Sequence, residues 1–307
     1  MLDMISKEWV HPKWYQKVVR HIFVALLPTI ILFALQHWLW FIACTIVKSY
    51  PDNILLKPWT PLDEFHVTAA NSWFVIFYGL SFAWWLIIPI IIYNVYGKKL
   101  YYRYIWTLTI MYLVGFVIFL VIPTSSSELY ANDKASITGN DFFSRFIKDN
   151  MRSHNSGVCA IPSFHVIGTY SIWLVQRSSL SKKYEIKIDR KGNIIFFTIS
   201  SFFTLMVSLS IFMIHQHYFV DFPTAVVVCE IVYWIVTKLE KRPNPMQKLF
   251  TNFNVGLLFE QNQNVSWGGT WSNKIQKAKY YKLWYVLIII LFLLICIGLI
   301  YSFSIGL

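Results

Sequence analysis

Apolar residues run along this chain in long unbroken blocks, separated by polar stretches. The blocks fall at about residues 22–47, 71–96, 104–122, 158–176, 194–214, 217–237 and 283–305. Each is about 20 residues long, the length an α-helix needs to cross the apolar layer of a bilayer. A surface helix of a soluble domain would break such a run with a polar face. The pattern therefore predicts an all-α, polytopic membrane helical bundle of about seven transmembrane helices. Pro89 inside the second block predicts a kink. Between the third and fourth blocks, Phe142, Phe143, Phe146 and Ile147 recur near helical spacing, which predicts a short amphipathic helix on the membrane surface. Gly192-Asn193 predicts a turn before the fifth block. No repeat or low-complexity tract divides the chain, so residues 1–307 read as one membrane domain.

Composition agrees: 56% of residues are hydrophobic and 14% charged, where a soluble domain carries roughly a quarter charged residues. The net charge of +12 adds an orientation. Lys and Arg concentrate in residues 1–20, 97–103, 177–193 and 238–282, which share one side if the spans alternate. The 48–68 and 123–157 loops and the 215–217 turn fall on the other side and are mixed or acidic. The positive-inside rule then places the N-terminus in the cytoplasm, and the second set of loops and the C-terminus outside. Basic residues that flank spans do not form the soluble basic face of a nucleic-acid binder. The first block is too long, and lacks the small-residue site, for a cleavable signal peptide. Cys44, Cys159, Cys229 and Cys296 are scattered, without a CxxC pair, so neither a disulfide framework nor a zinc site is inferred.

Candidate chemistry lies in two stretches, Ile161-Pro162-Ser163-Phe164-His165 and His215-Gln216-His217-Tyr218-Phe219-Val220-Asp221. Ionisable groups against a long apolar run are costly and so point to function. Helical spacing would stack His217 and Asp221 on one face, where the carboxylate can fix the imidazole tautomer and stabilise its charged form. His165 supplies a second titratable group, about two turns into the fourth span, while His217 opens the sixth. Both spans run inward from the outer face, and their N-terminal ends favour an anion such as phosphate. Two histidines, one with a carboxylate, suit phosphoryl transfer through a phosphohistidine. His165 alone would read as a satisfied histidine at a helix start after the ordinary capping signal Pro162-Ser163, and pairing with the second stretch reverses that balance; His217 with Asp221 could be a structural hydrogen bond within the bundle, with the catalytic reading ahead. His215 and His154 read as rim residues. Glu230, inside the sixth block, reads as a buried interhelical hydrogen-bonding group rather than a proton relay.

These stretches resemble the type 2 phosphatidic acid phosphatase superfamily. Its second motif, Pro-Ser-Gly-His, is similar to Pro162-Ser163-Phe164-His165 here, and its third motif ends His-x-x-x-Asp, as in His217 to Asp221. Phe164 in place of Gly, and the His-x-His-Tyr-Phe-Val-Asp run, look closer to the branch with inositol phosphorylceramide synthase and sphingomyelin synthases. The resemblance implies a six-helix phosphatase-like core over about residues 70–240, with 241–307 adding a cytoplasmic loop and a further span. It implies His217 as nucleophile, Asp221 as its orienting carboxylate, His165 as the acid for the leaving group, and Ser163 on phosphate oxygens. The superfamily's first motif, Lys-x6-Arg-Pro, is not recognisable, and Ser208 to Ile214 lacks the Arg that precedes the third motif in the phosphatases. Arg152 and Arg145, with Lys148 and Lys134, all in the outer loop, are the candidate phosphate clamps, Arg152 first because it lies ten residues before Pro162; an Arg fork meets phosphate bidentately. The expected activity is that of a lipid phosphatase or phosphotransferase at the extracytoplasmic face, with a lipid phosphate as substrate, the bilayer as partner, and neither metal nor cofactor. The rival is a transporter or channel with ion-relaying histidines, or a non-catalytic member of the fold. A transporter would show inverted repeats or spans broken near the midplane, and the histidines here sit at the interface.

Overall fold

The computed structural model describes residues 14–58, 60–64, 67–125, 137–151, 158–181 and 188–239. Within them the chain is helical: α1 (Trp14–Val47), α2 (Val75–Ile91), α3 (Gly97–Val121), the short α4 (Phe142–Phe146), α5 (Phe164–Ser179), α6 (Arg190–Met213) and α7 (Asp221–Leu239). Apart from α4, these helices take up the first six apolar blocks in order. The expected span at 283–305, Lys134, Arg152 and His154 lie outside the described residues. Four segments are long and apolar enough to cross a bilayer: Ala25–Val47, Ser72–Tyr96, Leu100–Val121 and Arg190–Met213. They present apolar side chains outward, among them Trp38 and Phe41 on α1 and Phe202 and Leu205 on α6. Such faces are stable against lipid and costly against water.

The 16-residue α5 is the inner helix and packs against α2, α3, α6 and α7. Its buried face includes Gly168, Thr169 and Ser171, small residues that let neighbouring helices approach closely. At Gly168 a Cβ would come within 2.6 Å of the Trp85 ring, and at Gly115 of α3 within 2.5 Å of the Phe164 ring. Phe164 fills the space over Gly115 and packs against Tyr112 and Phe119, with ring centroids 5.0 and 4.8 Å away.

Local sequence explains the joints. Pro89 lies within α2, which widens into a π-helical turn at Ile92–Tyr96 before Gly97, at φ 79°, reverses the chain into α3. Gly192-Asn193 is not a turn but the first turn of α6, because the Asp189 side chain caps the helix by accepting the Gly192 N–H. The amphipathic segment forms α4, capped by the Asp141 side chain, which accepts the N–H groups of Phe143 and Ser144. Ile147, just beyond α4, is buried with Val67, Val75, Ile137 and Ile214. This segment is therefore docked on the bundle through that residue.

Two helix starts differ from the sequence reading. α5 begins at Phe164, so His165 stands in its first turn and not two turns in. The backbone before it is committed elsewhere: Cys159 N–H bonds to Thr124 O at 3.1 Å and Ala160 N–H to Thr124 Oγ1 at 3.0 Å. α7 begins at Asp221, so His217 belongs to the preceding turn and does not share a helix face with Asp221.

The loops expected on one side do meet at one end of the bundle. Leu56 pairs with the Pro123–Ser125 strip, through Leu56 N–H to Pro123 O and Ser125 N–H to Leu56 O, each 2.8 Å. Ser125 forms an isolated bridge with Val158, and Tyr218 Oη donates to Ser125 O at 3.0 Å. Toward the opposite end, Arg177 makes a bidentate pair with Glu230 at 2.7 and 2.9 Å, and Tyr170 Oη donates to the same carboxylate. Glu230 is thus an interhelical hydrogen-bonding group, as its sequence context predicts, but a half-exposed one rather than a buried one.

Candidate active site

His217 is held at one nitrogen and open at the other. Its Nδ1 lies 2.9 Å from Asp221 Oδ2 and 3.1 Å from the Ala160 carbonyl oxygen. Both partners are acceptors, so Nδ1 carries the proton and the Nε2 lone pair is free in the neutral ring. Nε2 faces Ser163 Oγ at 3.4 Å. Asp221 is fully buried, and the same Oδ2 accepts the Tyr218 N–H at 3.1 Å. The pairing expected from four-residue spacing is therefore made, but across a turn that the carboxylate itself closes. His215, expected at a rim, is buried at 4% exposure, with φ 52°. Cys159, next to Ala160, is at φ 63°. Left-handed backbone at non-glycine residues is uncommon and collects where a site over-determines its geometry. The Ala160 carbonyl and the His217 ring meet between these two loops.

The His165 ring stands beside His217, with centroids 6.1 Å apart. The rest of its surroundings are aromatic: Tyr78 at 4.4 Å, Trp85 at 5.3 Å and Phe82 at 5.5 Å, all from α2. Gly168, one turn on from His165, leaves the room in which Trp85 lies. His165 Nδ1 is buried and has no hydrogen-bond partner among the described residues. The two rings therefore differ in kind. One is tied to a carboxylate and the other is held by ring packing alone. Ser163 is fully buried at the N-cap of α5, with no side-chain cap bond, so its hydroxyl is directed to the site and not to its own helix. α5 starts at Phe164, directly after Ser163, and a helix start leaves N–H groups that can receive an anion.

The structure brings together His165, His217, Asp221 and Ser163, four of the residues singled out in the sequence. Arg145 is exposed on α4 and has no ion-pair partner among the described residues. α4 sits close to the site through Tyr78, which packs on both the Ile147 cluster and His165. Burial pushes the Asp141 carboxyl up, but hydrogen bonds from Ser144, Ser72 and Phe143 outweigh it and hold the group below the usual carboxylate range. Among the described residues no group of three or more His, Cys, Asp or Glu side chains could hold a metal ion.

Sequence reasoning missed three contributors. The Ala160 carbonyl and the Thr124 hydroxyl are backbone and loop partners with no motif of their own. Asp63, 5% exposed, accepts the Phe219 N–H at Oδ1 at 2.8 Å. Thr60-Pro61-Leu62-Asp63 does carry a local capping-box signature. Nothing local shows that the second carboxylate oxygen reaches a turn 156 residues further on.

A family model described as the PAP2 superfamily matches residues 54–235, more than half of the chain. No curated protein and no solved structure matches it.

Proposed function

The chain belongs to the PAP2 superfamily, and on that premise we propose that it is an integral membrane enzyme acting on the phosphate ester of a lipid through a phosphohistidine. The observation that carries the proposal is the double hold on His217 Nδ1, which leaves Nε2 as a directed nucleophile beside Ser163 and His165. In the first step Nε2 attacks phosphorus and the bond to the leaving oxygen breaks. His165 gives that oxygen a proton, and the buried Asp221 carboxylate offsets the positive charge that develops on the His217 ring. In the second step His165 takes a proton from water or an alcohol, whose oxygen displaces His217 from phosphorus. Ser163 Oγ and the first N–H groups of α5 hold the phosphoryl oxygens. Arg145 and Arg152 are the proposed cationic clamps.

Transfer to an alcohol such as inositol is the finer reading. Phe164 at the motif's Gly position favours it, and so does the wall of Tyr78, Phe82 and Trp85, which keeps water from one side of His165. Orientation follows the basic loops, with the site on the extracytoplasmic face and the lipid entering sideways from the outer leaflet.

The test is phosphate release by the purified protein from phosphatidic acid, phosphatidylglycerol phosphate and polyprenyl diphosphate, with and without inositol. His217→Ala and His165→Ala run beside it, with label trapped on the protein under alkaline denaturing conditions and then tested for acid lability. Loss of turnover and of base-stable, acid-labile label in H217A supports the proposal. Head-group transfer without free phosphate identifies the transferase. Undiminished turnover in H217A would sink the phosphohistidine reading and move the transporter reading ahead.

A further inference from the structure

The turn that carries His217 is pinned by two buried carboxylates on consecutive N–H groups. Tyr218 N–H bonds to Asp221 Oδ2 at 3.1 Å, and Phe219 N–H bonds to Asp63 Oδ1 at 2.8 Å. These donors precede α7, where no helical carbonyl is available to them. Asp221 belongs to the adjoining helix, but Asp63 comes from the loop after α1, from the far end of the matched region. Its other oxygen, Oδ2, accepts the Thr60 N–H at 2.8 Å and the Thr60 hydroxyl at 2.7 Å. The carboxylate therefore spans from its own turn to the turn bearing His217. A buried carboxylate left without donors is strongly disfavoured, so three donors on two elements make this a fixed joint and not a chance contact.

We infer that Asp63 is a positioning residue for His217: by holding the Phe219 N–H it sets where the His217 ring stands relative to Ser163 and His165. It touches neither substrate nor the reacting atoms. The same loop also contacts the other half of the site. Leu56 pairs with Pro123 and Ser125, and neighbouring Thr124 Oγ1 accepts the N–H of Ala160, whose carbonyl is the second partner of His217 Nδ1. Leu56 and Asp63 thus brace both partners of one hydrogen bond, and Asp63 is the charged member of that brace. Releasing the Phe219 N–H lets the turn relax while Asp221 remains in place. The His217 ring then loses its alignment more than its basicity.

This inference rests on the proposed role of His217, and its test separates the two. The full-length protein in detergent micelles containing phosphatidic acid is assayed for steady-state phosphate release and for the rate of label trapping on the protein. Asp63→Ala should lower kcat by about 10- to 100-fold with KM within about 3-fold, the effect of roughly an ångström of misplacement. Label should still reach the wild-type stoichiometry per folded enzyme, only more slowly. Asp63→Asn keeps an acceptor for Phe219 N–H and should stay within about 5-fold of wild type, whereas Asp63→Glu keeps the charge, shifts the acceptor and should lose about 10-fold. If D63A does not elute as a single folded species, the order of D63N above D63E decides alone. Wild-type kcat in D63A or D63E, with H217A inactive, overturns the positioning role and leaves the proposed function standing. Full activity in H217A overturns both.

Discussion

Phe164, the residue that departs from the superfamily's motif, is matched by Gly115, and that match can be broken and repaired. An alanine at 115 would place its Cβ 2.5 Å from Phe164 Cε1 and 3.3 Å from Cζ. Real carbon contacts stand near 3.5 Å or more, so the ring or the helix must move by about 1 Å. The ring cannot turn away freely, because it is 4% exposed and confined by Tyr112 and Phe119. Overpacking of this kind costs about 1–3 kcal/mol. Against it stands the gain of replacing glycine within a helix, about 1 kcal/mol. The clash wins, so Gly115→Ala should destabilise by about 0–2 kcal/mol and, because Phe164 adjoins His165, lower turnover as well. Phe164→Ala removes a buried ring and should cost about 3–5 kcal/mol. In that background the clash is gone and only the helix gain remains, so G115A should change sign and stabilise. The two substitutions should couple by about 1–3 kcal/mol, well outside the ~0.5 kcal/mol within which independent sites add. The assay is thermal unfolding of the four proteins in one detergent, with phosphate release measured on each. Additive effects, or stabilisation by G115A in the wild-type background, would refute the packing described for Phe164.

Three further outcomes are expected. Asp221→Asn can keep an oxygen on His217 Nδ1 and Tyr218 N–H but removes the charge, so turnover should fall by about 10²–10⁴-fold with the unfolding temperature little changed; a loss under about 3-fold would count against the carboxylate's role. Arg177→Ala leaves the half-exposed Glu230 carboxylate with the Tyr170 hydroxyl but without its cation, so it should lower the unfolding temperature modestly and more than the double variant R177A/E230Q does, while the turnover of folded protein stays at the wild-type level; a larger drop in the double variant would contradict the pairing. Cysteine at Asn140, exposed beside the site loops, should react with an impermeant reagent on intact cells, and cysteine at Lys191, exposed at the start of α6, should not. The reverse pattern would invert the orientation.

Much of this protein can be read along the chain because a bilayer leaves little choice. Runs of about 20 apolar residues must be helical where water cannot satisfy the backbone. The six described long helices accordingly sit on the predicted blocks, and alternation carries the two histidine stretches to one end. The histidines, Asp221 and Ser163 were recognisable because their types and order are local facts. What sequence spacing misjudged was the backbone just before α5 and α7. Helical periodicity assumes helix at His217, but Asp221 accepts the Tyr218 N–H and closes a turn instead. Likewise Thr124 claims the N–H groups that would have extended α5 toward residue 158.

Only tertiary structure could decide the rest, because each remaining feature is a hydrogen bond or contact between segments far apart in the chain. The second hold on His217 Nδ1 depends on a carbonyl at Ala160, the alignment of its turn on a carboxylate at Asp63, and the room for Phe164 on a glycine at 115. A carbonyl has no side-chain signature, and a glycine or an aspartate in a loop has many uses. The apolar pattern determines that these helices form and how they alternate. Which loop atom reaches which ring follows from how the helices pack, since hydrogen bonds act over about 3 Å and the sequence does not encode that distance locally.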